Sequence, residues 1–217
     1  MPYPISEQLI KFNRSHKALS PSGFVIHSTA TPNATAQNEH DYFNGGDRQA
    51  SANYFVDNKT IIRCIPENEV AWHAGQTANG KFLSVEMCEI DPFEEVWSRT
   101  VWLVAEACVR YGWTTGPNVY SHRGISAMYR ETNHNDPIEF LANHGKTWDQ
   151  LLSAIDAEIS NIRKPKEVIT IATLQQVAKL IAPDDIYLTV RVRESLADQA
   201  IVDIHKLGFA CQKLELA

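Results

Sequence analysis

Gly23-Phe24-Val25-Ile26-His27-Ser28-Thr29-Ala30-Thr31-Pro32 is a short apolar, β-branched run that delivers a histidine and then stops in small polar residues. A run of 4 to 8 such residues bounded by turn signals reads as a buried strand, and Pro32 closes it. His27 therefore stands at a strand end, facing a cleft. On its own it is a core or surface residue as readily as a ligand, so its meaning depends on partners further along the chain.

Working outward, residues 1 to 22 carry few periodic signals and read as a lead-in arm ending in the turn Ser20-Pro21-Ser22-Gly23. Asn33 to Phe43 has modest helical character, is stopped by Gly45-Gly46, and places His40 on a helix face. Asn53 to Asp57 and Thr60 to Ile65, joined by Asn58-Lys59, read as a hairpin. Pro66 to Gly80 reads as a loop and Phe82 to Met87 as another strand, apolar except for Ser84 and Glu86. Asp91-Pro92-Phe93-Glu94 looks like a capped helix start, and Trp97, Val101, Val104, Cys108 and Tyr111 give one apolar face before Gly112 ends the helix. Asn118 to His122 is a second short strand ending in histidine, and Arg123 to Asp136 reads as a polar loop. Trp148 to Ile162 is an amphipathic helix that closes a first domain at residues 1–162.

Residues 163–166 form a basic, Pro-containing linker. Residues 167–217 read as a small α/β module: a strand, a helix over Thr173 to Ile181, an alternating strand over 186–193, a helix from Leu196 to Leu207 and a last strand over 209–216. At about 50 residues the module is marginal in size for independent stability. It could bind cell wall, mediate dimerisation or pack on the first domain.

Composition narrows the function classes. With 217 residues, 44% of them apolar, the chain can bury a real core. No apolar run approaches ~18 residues, which predicts no membrane insertion. A formal charge of −6 without a Lys/Arg cluster argues against nucleic acid as a partner. Cys64, Cys88, Cys108 and Cys211 are widely spaced in apolar segments and read as small buried hydrophobes. The amino terminus has neither a basic nor an apolar leader region, so the expectation is synthesis in a cytoplasm without a signal peptide.

Two features carry chemistry. His27, His122 and Asp136 are candidates for one metal site, because a catalytic zinc takes three nitrogen or oxygen ligands and leaves a fourth position open. With eight histidines in the chain such a set could also arise by chance. Glu86 lies among Phe82, Leu83, Val85 and Met87, where an ionised carboxylate is costly to bury. Either strand alternation turns it to solvent, or it is a general base with a raised pKa.

His27-Ser28-Thr29-Ala30, Tyr54-Phe55-Val56-Asp57, Ile65-Pro66-Glu67-Asn68-Glu69, Ala71-Trp72-His73-Ala74-Gly75, Glu86-Met87-Cys88-Glu89, Ser121-His122-Arg123 and Asn135-Asp136-Pro137 occur in the order in which similar motifs occur in the zinc-dependent N-acetylmuramoyl-L-alanine amidases. Over about residues 5 to 160 the chain resembles these type 2 amidases, relatives of the peptidoglycan recognition proteins, and most of all phage endolysins. The resemblance implies an α/β fold with a central mixed β-sheet flanked by helices, and Zn2+ held by His27, His122 and Asp136. It implies Glu86 as catalytic glutamate, with Tyr54 and His73 lining a substrate groove. The substrate it implies is the peptidoglycan of Gram-positive walls, cut between N-acetylmuramic acid and L-alanine and reached after release from the cell. Three positions depart from the family pattern: His134 where a lysine is common, Ser84 where a glycine is usual, and Gly124 where an acid is frequent. An imidazole at 134 could still donate to an oxyanion, with a charge that depends on pH. Two rivals follow: a peptidoglycan-binding module without catalysis, and a structural zinc protein. The latter normally uses four, cysteine-rich ligands. A serine or cysteine hydrolase lacks its motif.

Overall fold

The computed structural model describes residues 3–164, together with the backbone of 191–192 and 215–216. The chain divides into two compact units, Met1–Lys164 and Pro165–Ala217.

In the first unit six strands form one mixed sheet: β1 (Ile5–Glu7), β2 (Phe24–Ser28), β3 (Tyr54–Val56), β4 (Ile61–Arg63), β5 (Leu83–Met87) and β6 (Val119–Ser121). Their order is β1-β4-β3-β5-β2-β6, and every neighbouring pair is parallel except the β3–β4 hairpin. The hairpin and the strands at 24–28, 83–87 and 119–121 stand where the sequence predicts them. β1 is a correction to the lead-in arm. Three residues are too short to show a period, and this edge strand is defined by its pairing with β4, Ile5 opposite Ile61.

Strand alternation sorts the two faces. Phe24, Ile26, Tyr54, Val56, Leu83, Val85 and Met87 form a core with α3 (Phe93–Tyr111) and α7 (Trp148–Arg163). These two helices also pack on each other. α7 starts at a Thr147/Gln150 capping box and buries Leu151, Ile155 and Ile159, as its spacing predicts. α3 is buried more widely than one stripe, because Trp102, Leu103, Ala105 and Ala107 are covered as well as Val101, Val104 and Cys108. Its N-cap is Pro92 without a side-chain bond, so Asp91 does not cap it.

The opposite face carries Val25, His27, Phe55, Ile62, Ser84 and Glu86. It is covered by α1 (Ala36–Asn44), α2 (Gln76–Asn79) and α5 (His122–Tyr129), through small clusters around Phe55 and Ile62 and around Val25, Ala78 and Ile125. His40 is on α1, as expected, and buried. α4 (Thr115–Asn118) and α6 (Ile138–Asn143) complete the unit.

α5 replaces the first half of the expected 123–136 loop, and α2 interrupts the expected 66–80 loop. The Ser121 hydroxyl accepts the Gly124 N–H and caps α5, and Ile125 buries in the cluster beside it. His122 is thus the first residue of a helix rather than the last of a strand. The Ser84 and Gly124 departures are both accommodated. Ser84 exchanges hydrogen bonds with Asn53 inside the core, and Gly124 supplies the N–H to the α5 cap. Cys64, Cys88 and Cys108 are buried and unpaired to one another, while Cys211 lies outside the described residues.

In the second unit, β7 (Arg191–Val192) and β8 (Glu215–Leu216) pair in parallel. Both fall within expected strands. The first expected strand of the module, before Thr173, and its two helices lie outside the described residues.

Candidate metal centre

β5, β2 and β6 are adjacent and parallel, and their carboxyl ends open on one side of the sheet. Crevices at that edge are where open α/β sheets place ligands. His27 is the fourth residue of β2, His122 follows β6 directly, and Glu86 is the register partner of His27 on β5. Asp136 arrives on the loop after α5, held by the Arg123 N–H donating to its carbonyl at 3.1 Å.

The side chains converge. His27 Nδ1 lies 3.1 Å from Asp136 Oδ2, and His122 Nδ1 lies 3.2 Å from Asp136 Oδ1. One ligand atom from each of the three residues falls within 4.8 Å of the others, and this is the cluster of that kind among the described residues. Both imidazoles are buried, while the carboxylate stays partly open to solvent. Each ring's remaining nitrogen is held from behind: His27 Nε2 by His73 Nδ1 and His122 Nε2 by the Thr132 hydroxyl, both at 3.1 Å. Outer partners of this kind fix the orientation of metal-binding histidines.

Charges at the centre suit a cation. Burial holds the His27 pKa below its usual value despite the carboxylate beside it, which favours the neutral ring that a metal binds. Burial works to raise the Asp136 pKa, but hydrogen bonds from His122 and His27 win and keep it below the usual carboxylate range. Two nitrogens and an anionic oxygen directed at one point form a donor set for a divalent metal.

Glu86 sits at the edge of this set, Oε1 3.9 Å from His27 Nδ1. Burial first, and then the negative charges of Asp136, Glu39 and Glu89, raise its pKa well above the usual carboxylate range. Alternation therefore turns it into the crevice rather than to bulk solvent. His134 is exposed and stacks on the His122 ring, centroids 4.5 Å apart and planes 6° from parallel, with Nδ1 3.7 Å from Asp136 Oδ1.

Tyr54 is the residue the structure does not bring here. It pairs in register with Val85 and so points to the α3/α7 face, 1% exposed, with its hydroxyl donating to Glu67 Oε1 at 2.7 Å. The strand period of two puts it on the far side of the sheet from His27. Glu67 also receives Arg110 and Tyr111, an anchoring network between the loop after β4 and the end of α3. His73 is at the site but has both ring nitrogens engaged, by His27 and by the Phe82 carbonyl.

Two contributors had no local sequence signal. One is Thr132. The other is Glu131, whose carboxylate accepts from the Thr77 N–H and hydroxyl at 2.8 and 2.5 Å and fastens the Asp136 loop to α2.

Comparison with known proteins gives the chain a family and its fold relatives. The sequence pattern of a family described as N-acetylmuramoyl-L-alanine amidase (Amidase_2) matches residues 17–139. The chain is 45% identical over 113 residues to the N-acetylmuramoyl-L-alanine amidase CwlL of Bacillus licheniformis, covering 43% of this chain and 31% of that protein. It is 35% identical over 179 residues to a probable N-acetylmuramoyl-L-alanine amidase of the same species, covering 73% and 47%. The chain thus spans less than half the length of these curated relatives. Among solved structures, the hydrolase AmiA of Staphylococcus aureus superposes with a TM-score of 0.66 at 22% identity over 80% of this chain and 88% of that one. The catalytic domain of XlyA gives 0.61 at 25% identity over 70% and 99%. These likenesses establish the mixed-sheet amidase fold.

Proposed function

Because the chain belongs to the N-acetylmuramoyl-L-alanine amidase family, we propose that it is a zinc-dependent peptidoglycan hydrolase. It cuts the amide between the lactyl group of N-acetylmuramic acid and L-alanine. The observation that carries this reading is Glu86, a carboxylate of raised pKa placed 3.9 Å from a nitrogen of the three-residue donor set. A binding module has no use for such a base.

Zinc fits the donors. Two ligands about 2.0–2.1 Å from a tetrahedral ion lie about 3.3 Å apart; His27 Nδ1 and His122 Nδ1 stand 3.1 and 3.2 Å from the two different oxygens of Asp136, and one ligand atom from each residue lies within 4.8 Å of the others. His27, His122 and Asp136 would hold it. Bound there, zinc supplies a Lewis acid that polarises the amide carbonyl and brings the pKa of water at the site to about 7.

The chain's own residues do the rest. Glu86 takes a proton from the attacking water as its oxygen bonds to the carbonyl carbon, and gives that proton to the alanine nitrogen as the C–N bond breaks. The products are the lactyl carboxylate and a free L-alanine amine. His134, exposed on the solvent side of His122, donates to the oxygen that gains charge in the transition state. It takes the place of the lysine common in the family.

Residues 1–162 carry this activity, and 167–217 form a separate module after the linker 163–166. The substrate is the Gram-positive cell wall, met after release from the cell that makes the protein, as for a phage or prophage endolysin. The test is hydrolysis of purified Gram-positive peptidoglycan by the full chain, with and without a zinc chelator, scoring new L-alanine amines against reducing sugar ends. Chelator-sensitive amines without reducing ends are expected. Sedimentation with the wall but no amine release would replace this reading with the binding module.

A further inference from the structure

His73 has no ring nitrogen left for a substrate. Its Nε2 lies 3.2 Å from the carbonyl oxygen of Phe82, and its Nδ1 lies 3.1 Å from His27 Nε2. A backbone carbonyl only accepts, so the proton of the His73–Phe82 bond belongs to His73 Nε2. In a neutral ring this leaves Nδ1 as an acceptor. Without a metal, His27 can give its one proton either to Asp136 Oδ2 from Nδ1 or to His73 from Nε2, each at 3.1 Å. Once the Nδ1 lone pair is given to a metal, the proton is on Nε2 and the chain runs one way: the Phe82 carbonyl accepts from His73, which accepts from His27.

Local structure makes the chain rigid. The His73 and Ala74 N–H groups both donate to the Asn79 side chain, at 2.9 and 2.8 Å, which locks the loop that carries His73 onto α2. Phe82 is packed with Val25, Ala74, Ala78 and Ile125, so its carbonyl has a fixed place. The two imidazoles meet at 90°, centroids 5.2 Å apart, an edge approach suited to an in-plane hydrogen bond.

We propose that His73 is a positioning residue for the metal rather than a substrate contact: by accepting from His27 Nε2 it favours the tautomer that leaves the His27 Nδ1 lone pair free for a metal shared with His122 and Asp136. This inference rests on the zinc reading of the site. Asn at position 73 can place an oxygen where Nδ1 stands and keep the acceptor; Leu fills similar space without one.

The experiment uses the full chain and zinc alone. Zinc affinity is measured by competition with a chromophoric chelator for the parent, His73→Leu and His73→Asn. The His73→Leu affinity should fall about 10- to 100-fold, the range for loss of an outer partner, and His73→Asn should recover most of it. In the zinc-loaded parent, 15N NMR should show His73 protonated on Nε2, with a scalar coupling to His27 Nε2 across the hydrogen bond. Unchanged affinity in His73→Leu, equal losses in Leu and Asn, or His73 protonated on Nδ1 would each overturn the assignment. A His73→Leu chain that does not fold leaves the NMR result on the parent to decide. A parent that binds no zinc at all would defeat the zinc reading itself, and the parent titration shows that outcome separately.

Discussion

Gly75→Ala tests how the loop that brings Asp136 is held. Gly75 has φ 89° and ψ 162°, a region that only glycine enters freely and that costs a side-chain-bearing residue about 1–3 kcal/mol. A Cβ there would also stand 2.7 Å from Glu131 Oε2 and 2.8 Å from Glu131 Cβ. A contact with Cβ cannot be relieved by swinging the carboxylate, so Glu131 must move and release Thr77. Thr132, the partner of His122 Nε2, is the next residue. The backbone cost alone corresponds to a fall in Tm of about 2–12 °C for a protein of this size. Displacing Thr132 should weaken zinc binding by about 10-fold or more, as for other outer partners. Thermal unfolding of the metal-free chain and chelator competition measure the two effects separately. In a Glu131→Ala background the Gly75 substitution should keep its thermal cost but add nothing to the loss in zinc affinity. A Gly75→Ala chain with parental Tm and parental zinc affinity would refute the reasoning.

Glu86→Gln should retain zinc by elemental analysis while losing about 10²–10⁴ in turnover, the usual worth of a general base; near-parental turnover would remove Glu86 from its role. His122→Ala should leave the purified protein without stoichiometric zinc, and full loading would break the ligand set. Glu67 gives a pH prediction away from the metal. Burial works to raise its pKa, but hydrogen bonds from Arg110 and Tyr54 outweigh that and depress it. Its contribution is therefore present above the unfolded value of about 4.5 and lost as pH falls through the lower folded value. Glu67→Gln should cost about 1–3 kcal/mol at pH 7, with the gap to the parent in urea unfolding narrowing below pH 4. A gap that stays constant down to pH 3 would rule out the ionised network.

What was legible in the sequence was whatever depends on near neighbours along the chain. The apolar run before His27, the hairpin around Asn58-Lys59, the acid inside β5 and the helical spacing of apolar residues over Trp148 to Ile162 each state their structure locally. Strand ends and motif order were enough to select His27, His122, Asp136 and Glu86. Tertiary structure alone decided the rest. Ile5–Glu7 is a strand only because β4 lies beside it, and His122 opens a helix because Ile125 finds a buried cluster to fill. Tyr54 left the candidate site for a reason no linear motif contains: one residue of strand register separates the two faces of a sheet, and Tyr54 pairs with Val85 whereas Glu86 pairs with His27. The partners of His27 and His122, His73 and Thr132, lie 46 residues after the first and 10 after the second. A hydrogen bond is directional over about 3 Å, and only the folded chain brings such groups within that reach.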